Sequence, residues 1–522
     1  MCLSIINTPN RVTRFKSNLK IGLRAPLCLI ASGIMLSACS VTPEPLAETE
    51  LLNRVEDNLN NMYGDQERVS GPLDLYQAVA RGLKYNLDKR LKMMERGLEE
   101  ARLGQTHADF LPEIAVKAGY RKRDSFAASS SLNLQTGIQN FGASTSSDQK
   151  LRTADLQMVW NILDFGLTYF RAKNDADRVL IAEERRIKVA QNLILDIRDA
   201  YWRAIGSQRL LPHVNKLIRD INASIRRSKS LLSEGTGEPQ NELQSQRELL
   251  NHLNDLMEVR RRLSLATTEL SALINMPPGH RLRLIVRANS DMSVPSLRAR
   301  YSDIETAALL SRPELREEDY KRRITETDLR AAYVRLLPGL ELRYGPNYDS
   351  NSFLLHDDWT NVGVAVTKNL MEIATAPRAI KYAEANRDVA IARQMALSMA
   401  VITQVHISLQ RFALSKDILR VSSKLLNIDR KLSNIADRSS EASAGSDLDA
   451  LSARSRKIVS ELRYYAAFAD VQNSFGRIIN SVGSHRLPSD FESLDVQTLA
   501  GELKLVLDEW SPPFGEITVA QN

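Results

Sequence analysis

Four short segments alternate apolar and polar residues with the period of a strand. Ile114, Val116, Ala118 and Tyr120 alternate with Glu113, Lys117 and Arg121. Leu156, Met158, Trp160 and Ile162 alternate with Asp155, Gln157 and Asn161. Further on, Leu340, Leu342 and Tyr344 alternate with Glu341 and Arg343, and Val362, Val364 and Val366 with Asn361, Gly363 and Ala365. Each segment predicts a strand with one apolar face. Taken singly, it fits the edge of a soluble sheet as well as a membrane strand. Each strand pair is followed by a long stretch with helical composition, from Leu167 to about Ser233 and from Pro377 to about Asp437. About 67 helical residues would reach roughly 100 Å. Pro212 is expected to kink or interrupt the first helix, and Pro377 to sit in the first turn of the second. The return helices carry a seven-residue apolar repeat: Leu249, Leu253, Leu256, Arg260, Leu263, Thr267, Leu270 and Ile274, then Leu448, Leu451, Ser455, Ile458, Leu462, Tyr465 and Ala469. Such a period predicts coiled-coil packing.

These elements occur twice. Phe110-Leu111-Pro112-Glu113-Ile114 and Leu336-Leu337-Pro338-Gly339-Leu340 are 226 positions apart, as are Asn86-Leu87-Asp88 and Arg312-Pro313-Glu314. Downstream, Trp160-Asn161-Ile162-Leu163-Asp164 matches Lys368-Asn369-Leu370-Met371-Glu372 at an offset of 208. The first half thus carries 18 extra residues (226 − 208), which fall in the Ser-rich segment around Ser125 to Ser147 and predict a surface loop. Both halves read helix, strand, loop, strand, long helix, turn, helix.

The N-terminus changes the setting of this repeat. Five basic residues (Arg11, Arg14, Lys16, Lys20 and Arg24) precede an apolar run from Ala25 to Leu36, the order of a secretory signal. The run ends in Leu36-Ser37-Ala38-Cys39, which matches the bacterial lipobox and makes Cys39 the expected lipidation site. An ordinary signal peptide with a chance cysteine is the alternative. Ser40, where an Asp would signal inner-membrane retention, favours the outer membrane of a Gram-negative cell. Removing the leader lowers the net charge from +7 to +2 (7 − 5), so nucleic-acid binding loses its support. No cysteine follows Cys39, which leaves neither a disulfide framework nor a thiolate metal site in the body. No later segment has the 18 or so apolar residues of a spanning helix, so a membrane crossing would have to use strands.

Candidate chemistry is sparse. The seven histidines are dispersed, with no pair at metal-ligand spacing. Gly235-Thr236-Gly237 lacks the lysine of a phosphate loop and reads as a turn, and no Gly-x-Ser-x-Gly elbow is present. The expectation is a non-enzyme without metal or cofactor.

The segment from Leu73 to Asn86, the two Leu-Pro junctions, Trp160-Asn-Ile-Leu-Asp-Phe-Gly166 and Val362-Gly-Val-Ala-Val-Thr-Lys-Asn-Leu370 together resemble the TolC-type outer-membrane efflux proteins. The resemblance implies a mainly α protein with membrane β structure. Its duplicated repeat would give four strands per subunit to a trimeric 12-stranded barrel, and coiled-coil hairpins to a periplasmic tunnel. The implied domains are a leader over 1–38, a lipidated linker over 39–72, repeats over 73–276 and 303–484 with a linker over 277–302, and a C-terminal extension over 485–522. The implied function is passive export, by efflux or type I secretion, through a homotrimer. A periplasmic adaptor opens the duct and an inner-membrane transporter energises it. By the same resemblance Glu242, Asp447 and Asp449 are candidate gate residues. Gly235, Thr236, Gly237, Ser443 and Gly445 lie on the candidate adaptor-contact turns, and Tyr120, Trp160 and Trp359 are candidate membrane-interface aromatics. The usual Tyr-x-x-Gly before each turn is replaced by Ser233-Glu234-Gly235 and by the segment from Ser439 to Gly445. For Glu242 and Asp447 a plainer role is N-terminal helix charge. The alternative to a channel is a lipid-anchored periplasmic coiled-coil spacer whose strands form a soluble sheet.

Overall fold

A computed structural model describes residues 43–69, 71–236, 238–280, 282–285, 294–297, 299–442, 447–483 and 493–508. It divides into two units, residues 1–64 and 65–522. The first contributes one described helix, α1 (Glu48–Tyr63), which buries none of its own residues.

In the second unit α2 (Leu75–Tyr85) and α3 (Leu87–Ala108) lead into β1 (Glu113–Lys122). Asp74 caps α2 by accepting from the Gln77 backbone while the Gln77 side chain accepts in return, and Asn86 caps α3. After β1 come β2 (Ala128–Leu132), β3 (Gln139–Thr145), β4 (Lys150–Asn161), α4 (Ile162–Ser233) and α5 (Pro239–Leu273). The second half holds α6 (Tyr301–Ser311), α7 (Pro313–Val334), β5 (Gly339–Asp349), β6 (Asp358–Thr367), α8 (Leu370–Glu441) and α9 (Asp447–Val482), and α10 (Val496–Asp508) follows.

β1, β4, β5 and β6 form one antiparallel sheet in that order, while β2 and β3 form a separate hairpin. The expected surface loop around Ser125 to Ser147 is thus partly strand. Asn133 organises its turn, its side chain accepting from the Gln135 and Thr136 backbones, a local Asx bond that compositional reading does not anticipate.

Pro212 does not interrupt α4, which runs through it for 72 residues, roughly 108 Å at 1.5 Å per residue. Leu210 and Val214 on either side of it are buried in the hairpin core, and that packing offsets the missing backbone donor. Pro377 is not in the first turn either. Asn369 caps α8, and the helix begins at Leu370, seven residues before the proline. The seven-residue repeat of α5 holds for Leu249, Leu256, Leu263 and Leu270, but Val259, Ala266 and Ser271 are its other buried positions, whereas Arg260 is exposed. The core seam therefore runs one residue earlier than the pattern suggested at Arg260 and Thr267.

The helices repeat the order of the strands. Next to the sheet, α3 packs on α4, α4 on α7 and α7 on α8. Towards the turns the order is α5, α4, α9, α8. Between these levels lies the main core, built on Tyr201, Phe468, Ile197 and Ile304 with Leu83 of α2 and Leu499 and Leu503 of α10. Tyr201 donates its hydroxyl proton to the carbonyls of Leu73 (3.1 Å) and Ile285 (2.6 Å), tying the chain segments that flank the first half to α4. Gly82 lets α2 lie close on α4, since an added Cβ would overlap the Ile197 side chain.

Candidate functional site

Two regions of the second unit have the geometry of working parts, the four-stranded sheet and the two turns at the far end of the long helices. In the sheet the register puts Ile114, Met158, Tyr344 and Val362 in one cross-strand row and Lys117, Asp155, Asn347 and Trp359 in another. Because side chains alternate across a pleated sheet, the first row and its neighbours make an apolar face. That face is open: Val116, Val362, Val364 and Val366 are each two-thirds or more exposed. The other face carries Glu113, Lys117, Asp155, Gln157, Glu341, Arg343 and Asn361. The Arg343 side chain donates to Glu341 at 2.5 Å. Strands of 10 to 12 residues match the length that crosses a bilayer with tilt. Among the described residues no helix is long and apolar enough to cross a membrane.

Of the three aromatics singled out in the sequence, Tyr120 and Trp160 share the apolar face. Tyr120 lies at the end near the β5–β6 loop and Trp160 at the helix end, where its ring meets Phe165 edge to face at 5.9 Å and Phe165 meets Phe110 at 5.1 Å. Trp359 is paired with Asn347 and lies on the polar face. Strand parity, counted from Val362, could have placed it there.

At the far end Gly235, at φ +70°, closes α4. Thr236 donates to the Leu231 carbonyl and Gly235 to that of Leu232, the Schellman pattern in which glycine meets no Cβ penalty. Gly237, Ser443, Gly445 and, at the N-terminus, Cys39 lie outside the described residues.

Both lead acidic candidates are held by consecutive residues of α4. Glu242 accepts a 2.5 Å hydrogen bond from the buried Ser228 hydroxyl, which in turn accepts from Gln246 at 3.0 Å. Asp447 opens α9. It accepts from the Ser440 hydroxyl at 2.8 Å and pairs with Arg227 at 3.2 Å. Asp449 is exposed on the same first turn. Arg227 and Ser228 thus clamp the starts of both return helices, and the Arg227–Asp447 pair crosses from one repeat to the other. That pair is solvent-exposed on both sides, which limits it to about 0–1 kcal/mol. Sequence reading missed Arg227 and Ser228, because a contact spanning 220 residues leaves no local pattern. Nearby, Asp437 pairs with Arg454 at 2.7 Å and Ser460 bonds Asp429, fastening α8 to α9.

Where α4 meets α7, charge pairs replace apolar packing: Arg323 with Asp177, Arg185 with Glu317 (2.8 Å), Lys188 with Glu314 and Arg316 with Glu184 (3.1 Å). Burial pushes the Glu317 carboxyl up, but hydrogen bonds from Arg185 and Lys321 outweigh it and hold the group below the usual glutamate range. Burial raises Glu184, against the opposing pull of Arg316. Among the described residues no three His, Cys, Asp or Glu side chains are placed to hold a metal ion.

An open sheet with an exposed apolar face, continued by helices in the same order, is the subunit fold of a membrane channel that continues into a helical tunnel. Residues 89–276, from α3 to just past α5, match the family model described as outer membrane efflux protein. The fold of the chain is that of solved outer-membrane channels. It matches the Campylobacter jejuni CmeC outer membrane channel at 15% identity and TM-score 0.60, over 82% of this chain and 88% of that one. It matches the Neisseria gonorrhoeae MtrE outer membrane channel in its open state at 14% and 0.61, over 78% and 88%. CusC, whose structures were described in connection with transmembrane channel formation, matches at 15% and 0.61, over 81% and 96%. No curated protein sequence matches the chain.

Proposed function

We propose that this chain is the outer-membrane channel of a tripartite export system, a passive duct formed by three copies. The observation that carries the proposal is the shared order of the two layers. The sheet ends in the unpaired edges of β1 and β6, and the helix layer beside it ends in α3 and α8. Unpaired strand edges are not tolerated in lipid, and four strands are too few to close a barrel. Because β1 and β6 run antiparallel, the edge of one copy can pair with the opposite edge of the next, and three copies give 12 strands (3 × 4).

The helix edges support the same closure. On α8, Ile407, Leu414, Val421, Ile428 and Ile435 recur every seven residues and are all exposed. On the opposite edge, α5 exposes Leu243, Leu250 and Met257 at the same interval. A seven-residue apolar stripe calls for a partner helix. A soluble spacer would have no reason to expose Val362, Val364 and Val366 together.

In this reading the turns around Gly235 and Ser443 meet a periplasmic adaptor. An inner-membrane transporter supplies the energy for efflux or type I secretion. Cys39 carries a lipid that assists a barrel already fixed in the membrane, a single acyl chain being a marginal anchor. The residue ranges 73–276 and 303–484 form the two repeats. Glu242 and Asp447, clamped by Ser228 and Arg227, hold the entrance closed, and Asp449 adds to its negative charge.

Planar-bilayer recording tests the duct and its gate together. Wild-type protein is expected to conduct weakly, and Glu242→Ala with Asp447→Ala several-fold more. Equal conductance of the two would remove these residues from the gate, and no conductance from either would argue against a channel.

A further inference from the structure

The β-sheet holds one aromatic residue that neither folding nor the lipid interface explains. Trp359 is the second residue of β6, at the sheet end away from the helices, and is 41% exposed. Among the described residues its ring stacks on no other. It lies in the row Lys117, Asp155, Asn347, Trp359 on the polar face, while Tyr120 and Tyr348, at the same end, point to the apolar face. The residues that follow it on the polar face of β6 are Asn361, Gly363 and Ala365, and Gly345 lies one row in on β5. That side of the sheet is otherwise lined by small or hydrophilic groups except for Leu151 and Val159 of β4.

We propose that Trp359 faces the water-filled lumen, so that three copies form a ring of indoles just inside the outer mouth, a constriction on which flat aromatic cations stack as they leave. The inference rests on the trimeric barrel, because only closure turns the polar face into a lumen wall. An indole face attracts cations through its quadrupole. Asp155, two strands away in the same row and hence about 10 Å off, places a carboxylate near the cationic end of such a solute, with Lys117 beyond it. An aromatic ring at this position makes the exit selective by contact, whereas the hydrophilic rows below it discriminate little among solutes.

Fluorescence quenching in vesicles tests the orientation. Full-length wild type, Trp160→Phe and Trp359→Phe are reconstituted in dioleoylphosphatidylcholine or its brominated analogue and titrated with iodide. Trp160→Phe is expected to lose emission that brominated lipid quenches. Trp359→Phe is expected to keep that part and lose iodide-accessible emission. Loss of lipid-quenchable emission in Trp359→Phe would place the indole in lipid and overturn the proposal. A wild type insensitive to brominated lipid would overturn the barrel itself, and the inference with it. Block of the channel current by ethidium, a flat aromatic cation, added at the outer side then tests stacking. Trp359→Ala should weaken block about two- to fivefold, with Trp359→Phe closer to wild type. Unchanged block in Trp359→Ala would refute a stacking role.

Discussion

Leu256 and Arg260 occupy neighbouring turns of α5 and both fit a seven-residue pattern, yet one is fully buried and the other exposed. The pattern located the helix face but not its centre line, because positions three and four residues apart lie on the same side of a helix. Leu256→Ala should destabilise the protein by about 2–5 kcal/mol, and Arg260→Ala by about 0.5 kcal/mol or less. Comparing their thermal unfolding midpoints checks the seam, and similar losses would contradict it. Charge pairs add a pH dependence. Glu317 is held below the usual glutamate range, so its contribution is present above the unfolded glutamate pKa, about 4.3, and is lost as pH falls through the lower folded value. Glu317→Gln should therefore lower the unfolding midpoint at pH 7, by the equivalent of about 1 kcal/mol at most because Arg185 is half exposed. The gap to wild type should close towards pH 3. A gap that widens on acidification would reverse the assignment.

At the scale of elements, the four long strands, the two long helices and their return helices were all legible, since each repeats one period over many residues. What escaped was set by tertiary packing or by single side chains. Pro212 looked like a break because the local rule counts a lost hydrogen bond and not the buried leucine and valine beside it. The β2–β3 hairpin was hidden in a serine-rich stretch without alternation. The C-terminal extension carried no assigned role in the sequence, and the structure gives part of it a place. Leu499 and Leu503 of α10 join the core with Leu83 of α2, and Lys84 donates to the Leu494 carbonyl at 2.9 Å and pairs with Glu67 at 2.7 Å. Truncation after residue 484 should uncover Leu83 and Val79, lower the thermal midpoint and speed proteolytic cleavage between α2 and α3. A truncated protein as stable as wild type would show that α10 contributes little.

Across the whole molecule, the contacts around the candidate gate residues were not legible in the sequence. The resemblance pointed to Glu242 and Asp447, but that Arg227 and Ser228 hold them from adjacent positions on α4 emerges only when helices distant in sequence come together. Closure into a channel is the larger claim, and it depends on edges that one copy leaves open. The exposed stripes of α5 and α8 and the unpaired strands β1 and β6 would all be satisfied by one arrangement, a ring in which each copy meets the next. Leu414→Asp with Val421→Asp places charge in that stripe without touching the buried seam of α9, and it should weaken the ring while leaving each subunit folded. The most direct measurement is the native mass of the detergent-extracted protein, taken for wild type and for this double variant. Wild type should have three times the protomer mass, with the variant shifted towards one. A wild-type mass of a single protomer would contradict the channel.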